Sequence, residues 1–179
     1  LVATEYFNEV RRRFPQSQFA VLSELKQADL EYNQEYYTEA AALYGVFVKL
    51  YPTHVSADFA LYRQADSLYR DTPSKIARDQ SAAQGALASA QRLLVRYPNS
   101  KHTKAGKEII AKSRLKLAEK EAYVAKYYEK KEEYSAALQR WLTIVENYKD
   151  LKTSNLKPSQ DLYKKALSQS EALKAKIKS

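Results

Sequence analysis

Few side chains in this sequence are of types that do covalent chemistry. The two histidines, His54 and His102, follow helix-stopping prolines and open the next helices. Neither has a metal-site spacing such as H-E-x-x-H. There is no cysteine, which excludes disulfide frameworks, thiolate metal sites and cysteine nucleophiles. Gly45, Gly85 and Gly106 are isolated, so no glycine-rich phosphate loop exists. Acids such as Glu132-Glu133 read as solvated faces. Catalysis is therefore not expected, and neither is a metal or cofactor.

What remains is recognition chemistry, carried by 15 tyrosines and a set of cations. Tyr32, Asn33, Tyr36, Tyr37, Tyr62, Asp66 and Tyr69 fall near the ends of two predicted helices. Tyrosine joins apolar area to a hydroxyl, which suits an aromatic-ended peptide. The alternative is that Tyr32, Tyr62 and Tyr69 pack between helices. Arg70, Arg78 and Asp79 lie in or beside a predicted loop, where they would either bind a peptide carboxylate or pair with each other. Further along, Tyr127, Tyr128, Arg140 and Tyr148 are candidates for a second, partner-binding surface. Trp141 falls on a repeated apolar stripe and is expected in the core, whereas Arg140 beside it is the better contact residue.

Helices must position these groups, because an aromatic followed by proline recurs at helical spacing. Phe14-Pro15, Tyr51-Pro52 and Tyr97-Pro98 are followed by Tyr148-Lys149, where the proline is lost. Twelve residues before each proline position lie Ala3, Ala40, Ala86 and Ala137; eight before lie Phe7, Tyr44, Ala90 and Trp141; five before lie Val10, Phe47, Leu93 and Ile144. Steps of four, three and four trace one face of an α-helix, which the proline then ends. Thirteen residues after the prolines lie Ala28, Ala65 and Ala111. The strings Lys26-Gln27-Ala28-Asp29 and Arg63-Gln64-Ala65-Asp66 are near copies. Small residues at fixed offsets let paired helices approach closely.

The expected fold is all-α: a tetratricopeptide-like helix-hairpin solenoid of about eight helices with one long central helix. Helices are predicted at about 1–13, 18–33, 38–50, 55–69, 81–96, 100–131, 135–147 and 158–178. Residues 70–79 read as an inserted loop, with Thr72-Pro73 able to start a short helical turn. Nothing between Lys107 and Lys131 breaks a helix. Ser17, Asp79 or Ser81, and Asn99 or Ser100 are candidate caps, and Asn33 a left-handed helix end. Residues 147–157 read as a polar linker. Two regions are expected: N-terminal repeats over 1–99, the first incomplete, and the long helix with C-terminal repeats over 100–179. The first helix matches the second helix of a repeat, so its partner is expected before Leu1.

The chain has 179 residues with 30 Lys+Arg against 21 Asp+Glu, a net charge of +9. Residues 1–100 hold 11 basic and 11 acidic residues; residues 101–179 hold 19 and 10, so the whole excess lies there. Seventeen of those 19 are lysines spread along helical sequence, and the guanidinium forks that read nucleic acid best are scarce. Nucleic acid is not an expected partner. The longest apolar run, Ala40 to Val48, is far too short to cross a bilayer. With no initiator methionine, the sequence reads as a processed chain or a fragment, and any targeting sequence or lipid anchor would precede Leu1.

Three strings carry a resemblance. They are Tyr51-Pro52-Thr53-His54 with Asp58-Phe59-Ala60-Leu61-Tyr62; Arg78-Asp79-Gln80-Ser81 with Arg96-Tyr97-Pro98-Asn99-Ser100; and Leu117 to Tyr128 with Tyr134, Ala136-Ala137 and Arg140. Together they resemble the outer-membrane assembly lipoprotein family BamD, or ComL, over about residues 1–150. Membership would imply a lipid-anchored periplasmic protein on the inner leaflet of the outer membrane. It would also imply partners: the POTRA domains of the barrel-inserting subunit BamA through the C-terminal half, other lipoproteins of the β-barrel assembly machinery, and targeting segments of unfolded outer-membrane proteins through the N-terminal repeats. The alternative is a peptidoglycan-linked repeat adaptor of the CpoB type, whose repeats are more evenly spaced.

Overall fold

The computed structural model describes residues 2–14 and 17–178, so Pro15 and the side chain of Ala3 lie outside the described residues. All regular structure among them is helical: α1 (Val2–Arg13), α2 (Gln18–Asn33), α3 (Tyr37–Leu50), α4 (Ala57–Arg70), α5 (Ser81–Arg96), α6 (Thr103–Lys130), α7 (Tyr134–Asn147) and α8 (Lys157–Lys178), with a 3-10 turn at Lys149–Thr153. The fold class is the all-α, tetratricopeptide-like one that the stripe predicts.

The chain forms two compact units, residues 1–71 with 85–109 and residues 72–84 with 110–179. Each has its own core. In the first, consecutive helices α1 to α4 pack in pairs, and Leu25, Ala28, Ala40, Tyr44, Phe47, Ala60, Leu61 and Leu93 are buried together. In the second, α7 packs on α8, and Ala118, Ala122, Ala125, Ala137, Trp141 and Ile144 are buried with Leu151 and Ala166. Every described stripe position from Ala40 onward is buried or partly buried. Ala28, Ala40, Ala65, Ala86 and Ala137 are wholly inaccessible, as close approach between helices requires. Gly106 serves the same end. A Cβ there would lie 2.9 Å from Leu94 Cδ1 and 3.0 Å from Leu93 Cδ2, so a larger residue would require those leucine methyls to shift.

Local signals behave as chemistry dictates, with three differences. Ser17 caps α2, accepting the Ala20 N–H at 3.1 Å. Asn33 is not the left-handed residue. It remains helical, and the left-handed conformation falls on Glu35 (φ 64°). The reason is a Schellman closure: the Tyr36 N–H donates to the Glu31 carbonyl and the Glu35 N–H to that of Tyr32. The same closure ends α6 at Glu132 (φ 61°), where the Glu133 N–H donates to the Tyr128 carbonyl.

The inserted segment holds no helical turn at Thr72-Pro73; it runs as bends and turns. Lys116 Nζ donates to the Ser74 carbonyl at 3.1 Å, and Lys120 Nζ to those of Ala77 at 2.8 Å and Arg78 at 3.2 Å. The segment after α7 is more than a polar linker. Its 3-10 turn buries Leu151 to 1% exposure in the second core. Apolar burial decides against a free linker there, because Leu151 has the core within reach of a single turn. No helix among the described residues is long and apolar enough to cross a membrane.

Candidate functional site

The first unit gathers much of the predicted tyrosine set at the ends of α2 and α4. The Tyr32 hydroxyl donates to Asp66, and Arg70 Nε donates to the same carboxylate oxygen at 2.8 Å. Tyr32 and Tyr37 meet edge to face at 5.5 Å, and the Arg70 guanidinium lies 5.5 Å and 5.7 Å from their centroids. Burial pushes the Tyr32 phenol up to about 12, and its bond to Asp66 adds to the shift. The bond to Asp66 likewise holds the Arg70 guanidinium above its ordinary value. Arg70 is thus paired within the cluster, and Asp79 caps the Ser81 N–H at 3.2 Å instead.

The other candidates scatter. Tyr62 stacks flat on His102, centroids 4.9 Å apart. Tyr36 is exposed and Tyr69 partly buried, while Asn33, also exposed, lines a recess with Asp29 and Tyr44. Arg78 belongs to the second unit, where it is exposed and its carbonyl accepts from Gln80 at 3.2 Å.

Sequence reasoning missed Arg63. Its guanidinium lies 4.0 Å above the Tyr32 ring and 5.3 Å from that of Phe59. It borders a recess of about 320 Å³ with Phe7, Asp29, Leu30, Tyr44 and Phe59. Asp29 there accepts from the Tyr44 hydroxyl at 2.7 Å and from Lys26 at 3.1 Å. Burial, then the bond to Asp29, pushes the Tyr44 phenol up, so it stays a donor. A signal did exist. Lys26 and Asp29 repeat as Arg63 and Asp66 in the near-copied strings, which sets four charges on equivalent turns of α2 and α4.

In the second unit Tyr127 is 55% exposed and meets Tyr128 at 5.7 Å. Tyr128 and Tyr148 pack against the core. Arg140 donates to Glu121 at 3.0 Å. Arg114 grips the 3-10 turn, donating to Asp150 at 2.6 Å and to the Asn147 carbonyl at 2.6 Å, with its guanidinium 4.9 Å from the Tyr148 ring. Burial raises the Tyr148 phenol, and the Glu121 charge adds to it. Trp141 is core, 1% exposed, with its indole N–H donating to Glu129. No group of three His, Asp or Glu among the described residues is placed to hold a metal ion.

The sequence model of one family, YfiO, an outer membrane lipoprotein, matches residues 1–177. The chain belongs to this family. Among its relatives is an outer membrane protein assembly factor BamD from Caulobacter vibrioides, 32% identical over 146 residues, covering 82% of this chain and 48% of that protein. A BamD from Neisseria meningitidis is 31% identical over 157 residues, covering 83% and 59%. One from Pasteurella multocida is 27% identical over 157 residues, covering 83% and 60%. The chain thus spans about half to three-fifths of these relatives' lengths.

Proposed function

We propose that this chain is a non-catalytic scaffold of outer-membrane protein assembly, working as the BamD relatives' name describes. The observation that carries the reading is the family match along residues 1–177. Its place is the periplasmic face of the outer membrane, held through a lipid anchor outside this sequence. Residues 1–99 receive targeting segments of unfolded outer-membrane proteins. Residues 100–179 bind the POTRA domains of BamA and adjoin other lipoproteins of the machinery.

The tyrosine, carboxylate and guanidinium cluster of Tyr32, Tyr37, Asp66 and Arg70 supports the first assignment. It offers ring faces and hydrogen-bonding groups at a partly exposed helix end. The second is supported by the exposed Tyr127, by Arg140 and by the concentration of lysine, which steers encounter with an acidic face. The decisive experiment is a pull-down on purified BamA POTRA domains. The unmodified chain is retained, and Arg140→Glu lowers retention, whereas Glu121→Gln, which breaks the same ion pair from its other side, leaves retention unchanged. Failure of the unmodified chain to bind overturns the reading.

A further inference from the structure

We propose that His102 is a pH-sensitive latch within the first unit: as a neutral ring it holds the start of α6 on α4, and its protonation releases that hold.

Two contacts build the latch. The imidazole lies flat on the Tyr62 ring, with centroids 4.9 Å apart and planes 3° from parallel, and meets Phe59 at 5.7 Å. Both rings belong to α4. The second contact runs through the backbone. The His102 N–H donates to Ser100 Oγ at 3.1 Å, and the Ser100 hydroxyl donates to Asp58, also on α4, at 2.6 Å. From this residue α6 begins, since the His102 carbonyl accepts the Gly106 N–H at 2.9 Å.

The surroundings accept the neutral ring and reject the charged one. His102 is partly buried, but its Nε2 atom is closed to solvent and has no hydrogen-bond partner among the described residues. A neutral imidazole can leave that nitrogen as a bare lone pair. An imidazolium carries an N–H on both nitrogens and would place a charged donor there without an acceptor. The charged groups that face the ring are Asp58 and Arg63 on α4 and Lys101 just before α6. Asp58 favours a cation, yet both its oxygens are engaged, one by the Ser100 hydroxyl and one by the Phe59 N–H at 2.7 Å. Lys101, Arg63 and the positive end of α6 oppose one. The Tyr62 face attracts an imidazolium but supplies no acceptor for Nε2. Burial, the largest influence, holds the imidazole below its ordinary value of 6.5. An opened junction therefore takes up a proton that the closed one refuses. The latch is at full strength above about pH 6.5 and weakens as pH falls below it.

The test is amide hydrogen exchange on the full chain at about pH 7.5 and about pH 5.5, with rates corrected for the intrinsic effect of pH. Protection of amides 106–109 should fall by about three- to tenfold on acidification, while that of α7 in the second core stays level. His102→Phe keeps a ring on Tyr62 without a titrating nitrogen, so the fall should disappear. Unchanged protection in the unmodified chain, or an equal fall across α7, overturns the latch. So does a fall that survives His102→Phe, which would belong to another group, His54 included. Should that variant fail to fold, an NMR titration of the His102 ring in the unmodified chain decides. A midpoint below the ordinary histidine value supports the latch, and one at or above it overturns the proposal.

Discussion

The hairpin α2–α3 in the first unit and the hairpin formed by the end of α6 with α7 in the second are copies 97 residues apart. Ala28 matches Ala125, Ala40 matches Ala137, Tyr44 matches Trp141, Phe47 matches Ile144 and Glu35 matches Glu132; the four pairs before the last are buried. Each large central ring sends its polar hydrogen to a carboxylate on the facing helix, Tyr44 to Asp29 and Trp141 to Glu129. The copies differ in what happens to arginine. In the second unit Arg114 and Arg140 both reach carboxylates, Asp150 and Glu121. In the first, Arg70 has Asp66 while Arg63 has only ring faces. One backbone plan thus yields a surface whose helix arginines are neutralised and a recess whose arginine is not. The two copies differ in how charges are completed, not in how the helices pack.

The comparison breaks first in the cores. Trp141→Ala should cost about 3–5 kcal/mol, with amide-exchange protection lost across α7 and α8. Tyr44→Ala should act in the same way on α2 to α4. If either change strips protection evenly from both cores, the picture of one core per unit fails. Arg114→Met comes next. It removes the grip on Asp150 and the Asn147 carbonyl at a half-exposed site and should cost about 1 kcal/mol in urea unfolding. No change in the urea midpoint would show that the turn is held by Leu151 alone.

The two left-handed glutamates sharpen the likeness. Glycine escapes the Cβ clash of that conformation, so Glu35→Gly and Glu132→Gly should each stabilise by about 1 kcal/mol. A gain at only one of them would mean that the two turns are not equivalent. The pH dependence separates the copies again. The folded state raises the Tyr32 phenol to about 12, above its ordinary value of about 10. It therefore keeps a proton that the unfolded chain releases. The resulting stability is complete below pH 10 and is lost as pH climbs from about 10 to 12. Urea titrations across that window should show a decline that Tyr32→Phe reduces. The smallest effect is expected at the inserted segment. Lys120→Met should speed tryptic cleavage after Lys75 and Arg78 without moving the melting temperature, since only exposed contacts are lost.

Much of the scaffold was legible in the chain. The alanine and aromatic stripe and the prolines located all eight helices within a few residues, because burial of one helical face and proline's missing N–H act locally. The candidate site was legible only in part. Tyr32, Tyr37, Asp66 and Arg70 are candidates by residue type and position and do converge, whereas Arg63 lies in a repeated string whose clearest constant is its alanine. Asparagine tolerates the left-handed conformation better than most residues, which is why the sequence points to Asn33. The geometry of two closing hydrogen bonds overrode that preference.

The sequence by itself determined the helices, their buried faces and the small residues that bring them together, since each depends on periodicity along one chain. Only the tertiary structure decided which charges find partners. Asp66 takes Tyr32 from a helix 34 residues away, Asp150 takes Arg114 from 36 residues away, and Arg63 is left with aromatic faces. Pairing between side chains depends on distances that no local rule fixes, and an uncompensated charge is defined by everything around it.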